Sequence, residues 1–233
     1  MTARLKDERG TTLVELMVGL AAGLVVLAAL SMVLIVAMRA TARVGARVDA
    51  TQRARVAMTQ IIEEMHSACV EPKMAPVLSS SNKTKLVFVH ASSGTASAVA
   101  PTPVKTEIRL NGETLEQRDV PWVRGIAPNW EWNEASPTTR QLLTKVGPPT
   151  SGGPIFTYYV YSNGVLEAFT PSTTSSLGTE TAEKVVQVQV ALNAQPTNQP
   201  VNDPGSDATV QDRAVFRLTP PTFSESAPAL PCQ

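Results

Sequence analysis

All 18 prolines of this 233-residue chain lie at or beyond Pro72, and the residues before it contain none. Proline removes a backbone donor and drives its ring into the preceding helical turn. A proline-free start and a proline-punctuated remainder therefore predict one long helix followed by a domain of strands and loops. This is not the pattern of a uniform globular chain, a collagen-like repeat or a small disulfide-rich scaffold. Charge excludes a further class. With 20 basic and 20 acidic side chains there is no basic surplus, and no nucleic-acid partner is expected.

The proline-free part opens on a membrane-compatible segment. Leu16 to Met38 is a run of 23 residues without a charge, built from Leu, Val, Ala, Met and Gly. At 1.5 Å per residue it is about 34 Å long, enough to cross a hydrocarbon core of ~30 Å. A secretory signal peptide fits worse, because its apolar region is shorter and ends in a small-residue cleavage site, whereas this run ends at Arg39. Lys and Arg stand three on each side (Arg4, Lys6 and Arg9 before it; Arg39, Arg43 and Arg47 after it). That balance leaves orientation undecided by the positive-inside rule. Gly19 and Gly23 form a G-x-x-x-G, a spacing that lets apolar helices approach closely.

Glu15 stands at the edge of the run, between Leu13-Val14 and Leu16-Met17. A carboxylate at membrane depth costs several kcal/mol unless paired, and such residues are usually functional; reaching the headgroup interface is the alternative. The surrounding stretch, Arg9-Gly10-Thr11-Thr12-Leu13-Val14-Glu15-Leu16-Met17, resembles the class III signal of type IV prepilins and type II secretion pseudopilins. The resemblance covers about 30 residues. It implies that a prepilin peptidase cuts after Gly10 on the cytoplasmic side and that the new amino terminus, Thr11, is a candidate for N-methylation. Phenylalanine is commonest there in the family, so Thr11 is a departure. It also implies that Glu15 pairs with the terminal amine of a neighbouring subunit, a partner of the kind that makes a buried carboxylate tolerable. Cleavage removes three basic and two acidic residues from 20 of each, leaving 17 against 18.

Residues 39–71 continue without proline. Val44, Val48, Val56, Ile61, Ile62 and Met65 recur at close to helical spacing. They predict an amphipathic stem whose apolar stripe faces the following domain. An unbroken helix from Leu13 to Cys69 would be roughly 85 Å long, stopped by Val70-Glu71-Pro72.

Beyond Pro72 the period becomes two. Strands are predicted at Lys85–Ala91, at Val104–Leu110 and Glu113–Arg118 around Asn111-Gly112, and at Ile155–Tyr161 and Val165–Phe169 around Ser-Asn-Gly. Lys184–Leu192 and Arg213–Thr219 complete about seven. One antiparallel sheet laid on the stem is the economical α+β architecture. It is also what the resemblance implies, a pilin-like fold similar in layout to minor pilins of the PilW type and to pseudopilin J. Residues 195–212 read as a loop. Its Asn202, Asp203 and Asp207 match no calcium-loop spacing, so they read as a solvated turn and no cofactor is expected. Trp130 and Trp132, two apart, share one face of a strand; with Trp122 they read as core, a subunit-contact patch being the alternative.

Cys69 ends the stem and Cys232 is the penultimate residue. In an oxidising compartment a disulfide between them would persist and close a loop worth roughly 4–5 kcal/mol; two unrelated thiols are the alternative. His66 and His90 lack metal-site spacing, no metal is expected, and no catalytic motif is present, so the chain is not expected to be an enzyme. The resulting organisation is a leader (1–10), a transmembrane and assembly half of the helix (11–38), an amphipathic half (39–71) and a β-rich head outside the cytoplasm (72–233). The function expected from the resemblance is a structural minor pilin or pseudopilin, single-pass in the inner membrane, that joins other pilin or pseudopilin subunits in a filament. An uncleaved, monomeric, membrane-anchored extracytoplasmic binding domain is the alternative.

Overall fold

A computed structural model describes residues 12–69, 75–92, 102–125, 129–149, 152–162, 164–197 and 207–216. The leader, the Gly10–Thr11 junction, Pro72, Asn202, Asp203 and Cys232 lie outside them. The chain divides into two compact units, Met1–Gly45 and Ala46–Gln233. One long helix, α1, spans Leu13–His66. Its first part belongs to the first unit and its last part to the second.

In the second unit the fold is α+β: the end of α1 packs against antiparallel sheets. The packed stripe shares Ile61, Ile62 and Met65 with the expected one and differs in the rest. Ala50, Ala54, Ala57, Met58, Ile61, Ile62 and Met65 are buried, whereas Val48 and Val56 are exposed, Val56 at 70%. In the first unit Val44 is exposed as well. Positions 50, 54, 57, 58, 61 and 65 follow the 3.6-residue period, and Val56 sits on the opposite side of the helix from Ala54. The buried stripe begins in alanines.

The helix also stops earlier than expected. Ser67 to Cys69 leave it to cover the edge of the first strand: Ala68 bridges His90 and the Cys69 N–H donates to the Val89 carbonyl at 2.8 Å. Pairing with a strand edge, rather than Pro72, ends α1.

Among the described residues ten strands form two five-stranded antiparallel sheets instead of the single sheet expected. The first holds β1 (Lys85–Ser92), β2 (Thr102–Asn111), β3 (Thr114–Arg124) and β4 (Glu131–Trp132) in that order, with β5 (Thr138–Thr144) also pairing β3. The second runs β10 (Ala208–Val215), β9 (Val185–Ala194), β7 (Phe156–Ser162), β8 (Val165–Phe169), with β6 (Val146–Gly147) pairing β9. A single turn of helix, α2, lies at Thr179–Ala182.

The β2–β3 turn is one residue later than expected. Asn111 pairs Thr114, so Gly112 and Glu113 form the loop, and Gly112 has φ +60°, the positive value that a tight hairpin asks of its first residue. The last strand is displaced too. Ala208–Val215 pairs β9 residue by residue from Ala208↔Ala194 to Val215↔Gln187, so the last five residues of the expected 195–212 loop are strand.

The chain crosses from one sheet to the other at Lys145, which has φ +52° and stands between β5 and β6. Arg53 of α1 fastens that corner by donating from Nη2 to the Gln195 carbonyl at 2.8 Å. One continuous apolar core joins the buried stripe of α1 to Leu86 and Phe88 of β1, Ile108, Leu115, Phe156, Tyr158, and Val188, Val190 and Leu192 of β9.

Candidate assembly site

In the first unit every described residue from Leu13 to Gly45 is exposed, with the large apolar side chains of Leu13–Met38 between 48% and 77% accessible. This is the one described helix long and apolar enough to cross a membrane. Ser31 and Thr41 return their hydroxyls to carbonyls one turn back, Leu27 and Ala37, at 2.8 and 2.9 Å. Their polarity is thereby spent inside the helix, where an apolar surrounding does not have to satisfy it.

Glu15 sits in the first turn. Its backbone N–H donates to Thr12 Oγ1 at 3.3 Å, and the Leu16 N–H donates to the Thr12 carbonyl at 3.1 Å. Thr12 is therefore the N-cap and Glu15 the third helical residue, the T-x-x-E arrangement of a capping box. Carboxylates are favoured there by the helix dipole. This local role was readable in the sequence, as a threonine three residues before a glutamate, and it leaves the Glu15 carboxylate exposed. Gly19 and Gly23 are open: a Cβ added at either meets nothing within 4 Å. They thus lie on one exposed helix face with Glu15, one turn apart.

In the second unit a polar network clamps the stem to the first sheet. Arg140 of β5 makes an ion pair with Glu64 of α1 through Nη2, which also donates to Gln117 Oε1 at 2.8 Å. Gln117 Nε2 donates to Asp119 Oδ1 at 2.8 Å, and Thr106 Oγ1 donates to the same oxygen at 2.7 Å. Burial raises the pKa of Glu64, while Gln117 and Arg140 act against it. Beside this network His90 meets Ser67 Oγ at 3.4 Å through Nδ1, and burial lowers its pKa. No sequence signal pointed to this clamp, because its members come from α1, β2, β3 and β5. His66, by contrast, is exposed.

The remaining expected residues are dispersed. Asp207 accepts from Asn193 Nδ2 at 3.3 Å. Among the described residues no group of three His, Cys, Asp or Glu side chains is placed to hold a metal ion. Trp130 and Trp132 do meet, edge to face with centroids 5.6 Å apart. They join a small second cluster with Cys69 and Val89 rather than the main core, while Trp122 is 38% exposed. Cys69 is fully buried and disulfide-bonded. No protein-family model matches this chain, and no curated protein matches it.

Proposed function

We propose that this protein is a filament subunit of the type IV pilin or pseudopilin kind, anchored in the inner membrane until it assembles. Its leader would be removed after Gly10 by a prepilin peptidase. Its head would stand outside the cytoplasm, and its neighbours would be other pilin or pseudopilin subunits. The observation that carries the reading is the exposed apolar half of α1 with Glu15 in its first turn. In a lone anchor that carboxylate serves only the start of its own helix. In a bundle of such helices it has a further use, because the amine created at Thr11 supplies the opposite charge. The open Gly19 and Gly23 on the same helix suit close approach of a neighbour.

Mass spectrometry of the mature amino terminus, in the native host, tests the proposal. A terminus at Thr11, methylated or not, is the expected result. An intact Met1 leader would overturn it and return the chain to an uncleaved, membrane-anchored binding domain.

A further inference from the structure

Leu86 and Phe88 of β1 belong to the core shared with α1, so Val89, between Phe88 and His90, points to the opposite face of the first sheet. There Cys69 and Val89, 0% and 1% exposed, make a separate cluster with Leu78, Ala91, Trp130 and Trp132. Nothing in the assembly site or in the main core uses this face. Lys105 lies over the Trp132 ring at 5.7 Å, which leaves an aromatic shelf beside a buried, bonded cysteine.

We propose that this shelf is the docking groove for the chain's own C-terminal segment, residues 227–231, held there by a Cys69–Cys232 disulfide. Cys69 is disulfide-bonded, and Cys232 is the only other cysteine in the sequence. A disulfide brings the two Cα atoms to about 4.4–6.8 Å, which sets Cys232 against Val89 and the tryptophan pair. The residues before it read Ala227-Pro228-Ala229-Leu230-Pro231. Ala227 and Leu230 each precede a proline, which biases both to extended or polyproline conformation. In an extended segment Leu230 points to the same side as Cys232 and lies about 7 Å from it. Proline-containing extended segments dock on aromatic surfaces of this kind because little conformational freedom remains to be lost.

Chain length permits the path. The described chain ends at Phe216, whose N–H donates to the Val186 carbonyl. The residues between it and Cys232 span up to about 50 Å when extended. The proposal does not depend on the filament reading: a monomeric anchored protein would carry the same tail in the same place.

A photo-reactive benzoylphenylalanine in place of Leu230, in the full chain in detergent, locates the segment. After irradiation and digestion, intrachain cross-links to residues 78–91 or 129–133 are expected. Cross-links elsewhere, cross-links only between chains, or none overturn the proposal, as does a free Cys232 in a non-reducing peptide map. Leu230→Glu, with both cysteines kept, provides a second measurement that does not rely on the bulky probe. The expected result is a red shift of tryptophan emission and stronger quenching by acrylamide than in the wild type. Unchanged emission and quenching would count against the groove.

Discussion

Replacing Ile61 by alanine tests the alanine-led stripe of α1 directly. Ile61 is 0% exposed and belongs to the main core. The change deletes three carbons, worth ~0.8 kcal/mol each in transfer free energy, or ~2.4 kcal/mol together. The cavity left behind raises that figure into the measured ~2–5 kcal/mol range. The better helix propensity of alanine returns a few tenths, leaving a loss of ~3 kcal/mol. For a unit of the size of Ala46–Gln233 each kcal/mol moves the midpoint by ~2–4 °C, so Tm should fall by about 6–12 °C. Val56→Ala is the control. Val56 lies five residues away on the same helix but is 70% exposed, so its truncation should stay within about 0.5 kcal/mol. Both variants are read by circular dichroism melts of the detergent-solubilised full chain. Equal losses, or a larger loss for Val56→Ala, would refute the assignment of the buried face and restore the valine stripe.

Glu15→Ala should leave the protein membrane-inserted, because it removes a charge from an apolar helix, yet reduce its recovery in sheared filaments about tenfold or more. That corresponds to losing at least ~1.4 kcal/mol per contact, and recovery at the wild-type level excludes the pairing with a neighbour's amine. His90 gives a pH-dependent expectation. Burial lowers its folded-state pKa below the ordinary 6.5, so its neutral ring contributes stability that is present above pH 6.5 and lost as pH falls through the shifted value. A Tm series from pH 7.5 downward should decline more steeply for the wild type than for His90→Gln; parallel profiles would show that the fold leaves the His90 pKa unshifted.

Much of the head was legible because period-two alternation is a local signal. Val185–Ala194 and the β7–β8 hairpin fall within one or two residues of where alternation and turn residues put them. The strands that escaped were those without it. Thr138–Thr144 is almost wholly polar and is held as a strand by pairing with β3 through a bulge. Ala208–Val215 lies partly in a stretch that composition marks as loop, and its register with β9 holds it in the sheet. The helix was legible to within a few residues of its end, and its buried face only in its last turns, at Ile61, Ile62 and Met65. Counting only large apolar residues selected Val44, Val48 and Val56, and missed Ala50, Ala54 and Ala57. Alanine carries too little surface to announce a core position.

The candidate assembly site divides in the same way. Glu15, Gly19, Gly23 and the apolar run were all readable, because a helix fixes their relation by rise and twist alone. The Thr12 cap was readable for the same reason and was overlooked. The Glu64–Arg140–Gln117–Asp119 clamp was not, since a salt bridge between residues 76 apart in sequence depends on how α1 and the first sheet come together.

The sequence by itself determined the division at the first proline. Prolines leave no uninterrupted stretch beyond it as long as the one before it, and the absence of charge from Leu16 to Met38 makes that first helix membrane-compatible whatever else the chain does. Tertiary structure alone decided which face of the stem is buried, that two sheets rather than one cover it, and that α1 ends by pairing with β1 before Pro72 is reached. These outcomes rest on contacts between distant residues, where small side chains, register and edge pairing compete, and no local pattern encodes the winner.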